Sequence, residues 1–145
     1  MRKVKRWRYY CEFCKKSGGS GGHMKRHEQG CTMNPKRVCG VCKMLEEVQQ
    51  GINHLILQLP SPSDYIHEYH EPDIDVVSFV DELTVAANKA LPGLREEANN
   101  CPACIMAAIR QAGIPVPMVT DFDFKADMEE VWSCINDANS HAYAL

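Results

Sequence analysis

The stretch YYCEFCKKSGGSGGHMKRHEQGC, residues 9 to 31, decides how the chain begins to fold. Its potential ligands fall as Cys11-x2-Cys14-x12-His27-x3-Cys31. A divalent ion such as Zn2+ takes four thiolate or imidazole ligands in a tetrahedron, and a Cys-x2-Cys turn facing a His-x3-Cys helical pair supplies them from two sides. Residues four apart lie on one face of a helix, so His27 and Cys31 can reach the same ion. Gly30 is placed where a left-handed helix stop would turn Cys31 inward. A second ligand set, with His23 and His27 and a free Cys31, leaves only eight residues after Cys14, a short gap for such a loop.

Working outward, residues 1 to 43 carry 12 of the 16 Lys and Arg and two acids, a charge of +10, whereas residues 44 to 145 carry -13. Clustered cations gain free energy by releasing counterions from phosphates, so this division points to a polyanion-binding end and an acidic body. The competing reading is that the two halves attract each other. At 145 residues the length suits a small metal unit and one compact domain, expected as a basic arm over 1–8, a metal unit over 9–38 and an acidic helical domain over 39–145. The N-terminus is basic without a following apolar stretch, and no segment approaches a membrane span. An intracellular, reducing location is the expectation, where paired cysteines more often bind metal than form disulfides.

Tyr9, two residues before Cys11, and Met24, three before His27, complete a pattern with the four ligands. The stretch resembles the zinc-finger family of the two-cysteine, two-histidine type, in its variant ending in cysteine. Residues 9 to 42 also look like small zinc-finger proteins encoded by bacteriophages, most without an assigned activity; a host cytoplasm is the location that likeness implies. Gly18 departs from the family, which has a core phenylalanine there, and Gly18, Gly19, Gly21 and Gly22 weaken the hairpin and the helix start. The resemblance implies a ββα unit whose helix addresses bases through the positions of Ser20, His23 and Arg26, with Arg26 suited to guanine. One such unit covers about three base pairs, so phosphate contact by Arg6, Arg8, Lys15, Lys16, Lys25 and Arg26 is the stronger expectation, with DNA favoured over RNA.

Beyond this unit, Cys39-x2-Cys42 and Cys101-x2-Cys104 each stand at the start of an expected helix. The two pairs are candidates for a second zinc that ties the first body helix to the third. Buried thiols, a redox pair at a helix N-terminus and an iron-sulfur cluster are the other readings of the same four residues. Apolar steps of three and four at Val41, Leu45, Val48, Ile52, Leu55, Ile56 and Leu59 predict one helix from Gly40 to Leu59, closed by Pro60 and Pro62. A second is expected over Ile74–Ala90, with Val77, Val80, Leu83, Thr84 and Ala87 inward and Pro92 and Gly93 as its stop. A third starts at Pro102 and buries Ile105, Ala108, Ile109 and Ala112; a fourth, from Asp121 or Asp123, buries Phe124, Met128, Val131, Trp132 and Ile135, with Cys134 in the core. The fold class expected is therefore mainly α, a ββα-like finger followed by a small helical bundle.

His67, Glu68, His70, Glu71, Asp73 and Asp75 read as a solvated loop, because zinc-protease spacing is absent. Nucleophile elbows, phosphate loops and dinucleotide fingerprints are also missing, and no catalytic residue is assigned. The leading expectation is a non-enzymatic, zinc-dependent nucleic-acid-binding accessory protein. The alternative is a protein-interaction module or inhibitor of a host protein, its finger purely structural and its acidic helices binding the partner or a second copy.

Overall fold

The computed structural model describes the backbone of residues 1–65 and 76–142 and the side chains of residues 1–65 and 81–140. The acidic, histidine-bearing stretch from His67 to Asp75 lies outside the described residues, as do the side chains of Val77 and Val80.

The described chain is mainly helical. Two strands, β1 (Tyr9–Tyr10) and β2 (Ser17–Gly18), pair antiparallel with Tyr9 opposite Gly18 and Tyr10 opposite Ser17. Helix α1 (Gly21–Gly30) follows and buries Met24. Ser20 caps it, its side chain accepting from the amide of His23, which satisfies one of the donors left open at a helix start. Gly30 belongs to the helix and has no positive φ; Cys31 is turned in by its own extended backbone, φ -57° and ψ 131°. The left-handed stop expected at Gly30 is thus replaced by an extended cap.

The helix expected over 40–59 is two short ones, α2 (Gly40–Met44) and α3 (Ile52–Ile56). Glu46 takes a left-handed φ of 56°, and the amide of Glu47 returns to the carbonyl of Cys42 at 2.9 Å, closing α2 after little more than one turn. Val48, which the periodicity turned inward, is exposed.

Helix α4 (Val76–Glu97) runs through Pro92 and Gly93 instead of stopping before them. Leu91 and Leu94 explain this: they are 3% and 0% exposed, and burying two leucines at about 1.5–3 kcal/mol each offsets the roughly 3 kcal/mol of an interior proline and the ~1 kcal/mol of a glycine. Helix α5 (Pro102–Gln111) begins with proline in its first turn and buries Ile105, Ala108 and Ile109, with Ala112 half-buried. Gly113 then takes a φ of +81°, a conformation that glycine adopts without strain.

The main core gathers Leu55, Leu59, Leu83, Ala87, Leu91, Leu94, Ile105, Ile109, Val119 and Phe122 around four cysteines. Helix α6 (Phe124–Ala142) packs less deeply. Of its expected stripe only Val131 is buried, Met128 and Ile135 are half-buried, and Phe124 and Trp132 are exposed. Cys134 is exposed as well, contrary to the expectation of a core residue. The start of α6 is instead pinned from α4, where Arg95 pairs with Asp127 at 2.7 Å and lies 5.7 Å from the Phe122 ring centroid.

Candidate metal centres

The chain brings two groups of four ligands together. At the first, one ligand atom from each of Cys11, Cys14, His27 and Cys31 lies within 4.8 Å of the others. The β1–β2 turn carries the first two, α1 carries His27, and Cys31 caps its C-terminal end. Cys14 Sγ stands 3.3 Å from His27 Nε2. Amides support the sulfurs: Phe13 N–H donates to Cys11 Sγ and Lys16 N–H to Cys14 Sγ, both at 3.4 Å. Burial pushes the Cys11 thiol up, yet amide hydrogen bonds from Phe13 and Cys14 outweigh it and leave the group below its ordinary value. At Cys31 burial prevails and holds the thiol above it. The hydrophobic cluster here is small, with Cys11, Met24 and Cys31 at its centre and Cys14 and Met33 beside them. His23 is exposed and directs Nδ1 to Arg26, 3.0 Å away, so the alternative set with His23 is not the one assembled.

At the second group, Cys39, Cys42, Cys101 and Cys104 are all buried and also converge within 4.8 Å. Cys39 and Cys101 Sγ are 3.5 Å apart, as are Cys42 and Cys104 Sγ. Four thiolates around one zinc at about 2.3 Å stand roughly 3.8 Å from one another, so these separations fit a single ion. A multinuclear iron-sulfur cluster would hold its cysteine sulfurs farther apart. Both groups are closed sets of four soft or borderline donors, and together they fit one or two zinc ions.

Local structure explains how the distant pairs meet. Cys39 is the N-cap of α2 and accepts from the amide of Cys42 at 3.4 Å. Cys101 is the N-cap of α5, reached through Asn99 and Asn100, whose left-handed φ values of 52° and 57° turn the chain sharply at the end of α4. Asparagine tolerates that region better than other side chains with a Cβ. Gln49 folds back over α2: its Oε1 accepts from the Cys39 amide at 2.6 Å and its Nε2 donates to the Arg37 carbonyl at 2.8 Å. This clamp requires the reversal at Glu46 and accounts for the broken helix.

Arg37 completes the centre. It is 6% exposed, and its Nη1 donates to Cys104 Sγ at 3.5 Å while its Nε has no partner. Burial works against its charge, but attraction to Cys39 and Cys104 holds the guanidinium pKa above its ordinary value. Hydrogen bonds from the Cys101 and Cys104 thiols, aided by Arg37, push Cys39 far below the usual thiol range. Hydrogen bonding to Cys104 and Cys39 drives Cys101 far above it, and burial raises Cys42 to about 12. The four sulfurs thus form one coupled network beside the Arg37 guanidinium.

The residues between the two centres bind the finger to the helices. Arg110 Nη1 donates to Thr32 Oγ1 at 2.8 Å, and Gln111 Nε2 donates to the carbonyls of Thr32 and Asn34 at 2.8 and 3.1 Å. Asn34 Nδ2 holds the Glu28 carbonyl at 2.7 Å, and the Val38 amide returns to the Gln29 carbonyl at 2.8 Å. Arg37, Gln49 and Gln111 escaped sequence reading because each acts through a side chain across a chain reversal, with no spacing motif to betray it.

The basic residues named from sequence lie on the exterior. Arg6, Arg8, Lys15, Lys16, Lys25 and Arg26 are exposed, as are Ser20 and His23. Arg8 Nε donates to Ser17 Oγ at 2.9 Å, which ties the arm to β2.

No family model matches the chain, and neither a curated protein nor a solved structure is significantly similar to it. What the structure defines is a zinc-finger-like site, a β-hairpin and helix with a Cys3His group, followed by helices carrying a second group of four cysteines. Among the described residues no helix is long and apolar enough to cross a membrane.

Proposed function

We propose that the chain is a zinc-dependent, non-enzymatic nucleic-acid-binding accessory protein whose exposed cations contact phosphates. One observation carries the reading. Among the described residues the ion pairs are His54–Glu97 and Arg95–Asp127, both within the acidic body. None of Lys15, Lys16, Lys25 and Arg26 pairs with a described carboxylate, which weighs against mutual neutralisation of the two halves. Exposed cations that no described carboxylate neutralises keep their capacity to displace counterions from a polyanion. Both ligand sets are closed, with four protein donors and no open coordination position, as in structural rather than catalytic zinc sites. The phage-encoded origin implied by the sequence resemblance belongs to the same proposal.

The test is a salt titration of oligonucleotide binding by the zinc-loaded protein and by a variant with alanine at Lys15, Lys16, Lys25 and Arg26. Affinity should fall with salt, and in the variant the log-log slope should become shallower by roughly 0.9 for each duplex phosphate that is no longer neutralised. A flat salt curve, or an unaltered affinity in the variant, refutes the reading.

A second reading is a protein-interaction module, favoured by the exposed Phe124 and Trp132 on α6 of the acidic body. A protein partner retained after nuclease treatment and absent with Trp132→Ala would support it.

A further inference from the structure

Resting on the nucleic-acid reading above, we infer that the arm and hairpin form a cleft for single-stranded nucleic acid, with Trp7 as a stacking platform for a base. Lys5, Arg6, Trp7, Arg8, Tyr9 and Gly19 line a groove of about 630 Å³. Trp7 is 84% exposed between two arginines, so its ring face is accessible to a ligand entering the groove. Tyr9 is less free, because its ring lies against the start of α1, where a Cβ on Gly21 would come within 3.1 Å of it. Arg8 Nε, hydrogen-bonded to Ser17 Oγ, joins the arm to β2 along one side of the groove.

Cations alternating with an exposed aromatic ring suit a strand whose bases are unstacked, since phosphates meet the cations and a base lies on the ring. A duplex keeps its bases stacked inside and offers Trp7 nothing comparable. The helix positions that would address base edges in a major groove are already engaged within the molecule: Ser20 Oγ accepts from the His23 amide, and His23 Nδ1 meets Arg26. The glycines agree with close approach of a strand. A Cβ on Gly19 meets nothing within 4 Å, and its φ is not positive, so neither packing nor backbone geometry demands glycine at this edge of the groove.

The experiment uses the full zinc-loaded chain with Trp132→Phe, leaving Trp7 as the only tryptophan of the two. An oligothymidylate of about twelve nucleotides and its duplex with oligoadenylate are titrated at one ionic strength, reading Trp7 fluorescence and, separately, anisotropy of a labelled strand. The single strand should bind tighter and quench Trp7 to saturation. Trp7→Ala should weaken single-strand binding roughly five- to 150-fold, the range for removal of one base–aromatic stack, and change duplex binding little. Gly19→Ala should leave the melting temperature unchanged or raised, yet weaken the single strand. Tighter duplex binding, or equal losses on both forms in Trp7→Ala, overturns this inference and leaves the phosphate-binding reading standing. Binding to neither form overturns both.

Discussion

Replacing Arg37 with methionine should weaken zinc binding at the four-cysteine centre by ~30-fold while sparing the finger. Four thiolates around Zn2+ carry a net charge of -2, and here that charge is buried with a single guanidinium beside it, Nη1 3.5 Å from Cys104 Sγ. A unit pair at that distance is worth about 5 kcal/mol at an effective dielectric of 20. Removing one partner from a buried charged pair costs about 3–5 kcal/mol in practice. Methionine, however, also removes the unpartnered Nε, whose burial costs about 1–3 kcal/mol at present. The difference leaves a loss of about 2 kcal/mol, and at 1.36 kcal/mol per decade this is the stated factor. The loaded centre holds the larger charge, so the loss falls mainly on the loaded state. Cobalt(II) titration with a competing chelator resolves the two centres, because a four-thiolate site and a three-thiolate, one-imidazole site absorb differently. Arg37→Lys, which keeps a charge but loses the planar fork, should fall between wild type and methionine. If Arg37→Met binds within threefold of wild type while retaining its helical content, the cation does not compensate the thiolates.

Three further outcomes follow from the geometry. A strong chelator should unfold the finger but leave much of the helical circular dichroism, since the finger's cluster centres on Cys11, Met24 and Cys31 whereas the body buries Leu55, Leu83, Leu94, Ile105 and Ile109; proteolysis should then cut first within residues 9–31. Loss of all helical signal would contradict this. Gln111→Ala leaves the Thr32 and Asn34 carbonyls without that donor and should cost about 1–3 kcal/mol in urea unfolding of the zinc-loaded protein, with faster proteolysis around residue 33; an unchanged midpoint would remove Gln111 from the finger–helix joint. Asn100→Ala should cost about 1 kcal/mol in the same assay and Asn100→Gly little or nothing, because a left-handed φ of 57° strains alanine and not glycine; equal effects would argue against that turn.

Much of the finger was legible because its evidence is local. Four ligands in 21 residues, Cys11 to Cys31, have a spacing that chemistry restricts, and the structure brings those four atoms together. The second group offered only residue type and a position at helix starts, because 58 residues separate Cys42 from Cys101 and no spacing rule survives that distance. The elements misread were those where a tertiary contact overrode a local rule. Periodicity from Val41 to Leu59 continues across the break, while Gln49 reaching back to Cys39 and Arg37 forces a reversal through a glutamate, a residue that gives no turn signal. Pro92 and Gly93 would end an isolated helix, yet Leu91 and Leu94 lie in the deepest part of the core and carry α4 past them. The stripe on α6 satisfies the helical period, but only Val131 meets enough of the body to be buried, so the period reported the helix and not its depth.

The seven residues from Thr32 to Val38 show why the two centres belong to one mechanical unit. Cys31 is the last ligand of the first group and Cys39 the first of the second, so a metal at either group orders one end of the same short segment. Ordering backbone costs about 1–2 kcal/mol per residue, and this segment offsets the cost through contacts that need both ends in place. Asn34 holds Glu28 on the finger side, Arg37 is gripped by Gln49 and Cys104 on the body side, and Gln111 spans to Thr32 and Asn34 from α5. Asn34 and Arg37 are the buried polar residues among those described, and both lie in this segment. The finger is therefore not a bead on a flexible string. Its cations are presented from a fixed direction on an acidic body, and on the nucleic-acid reading proposed above, like-charge repulsion would hold a polyanion at the hairpin away from that body. Under that proposal the charge division read from sequence would act as an orienting device, admitting a nucleic-acid strand on the finger's outer face and turning it away from the helices.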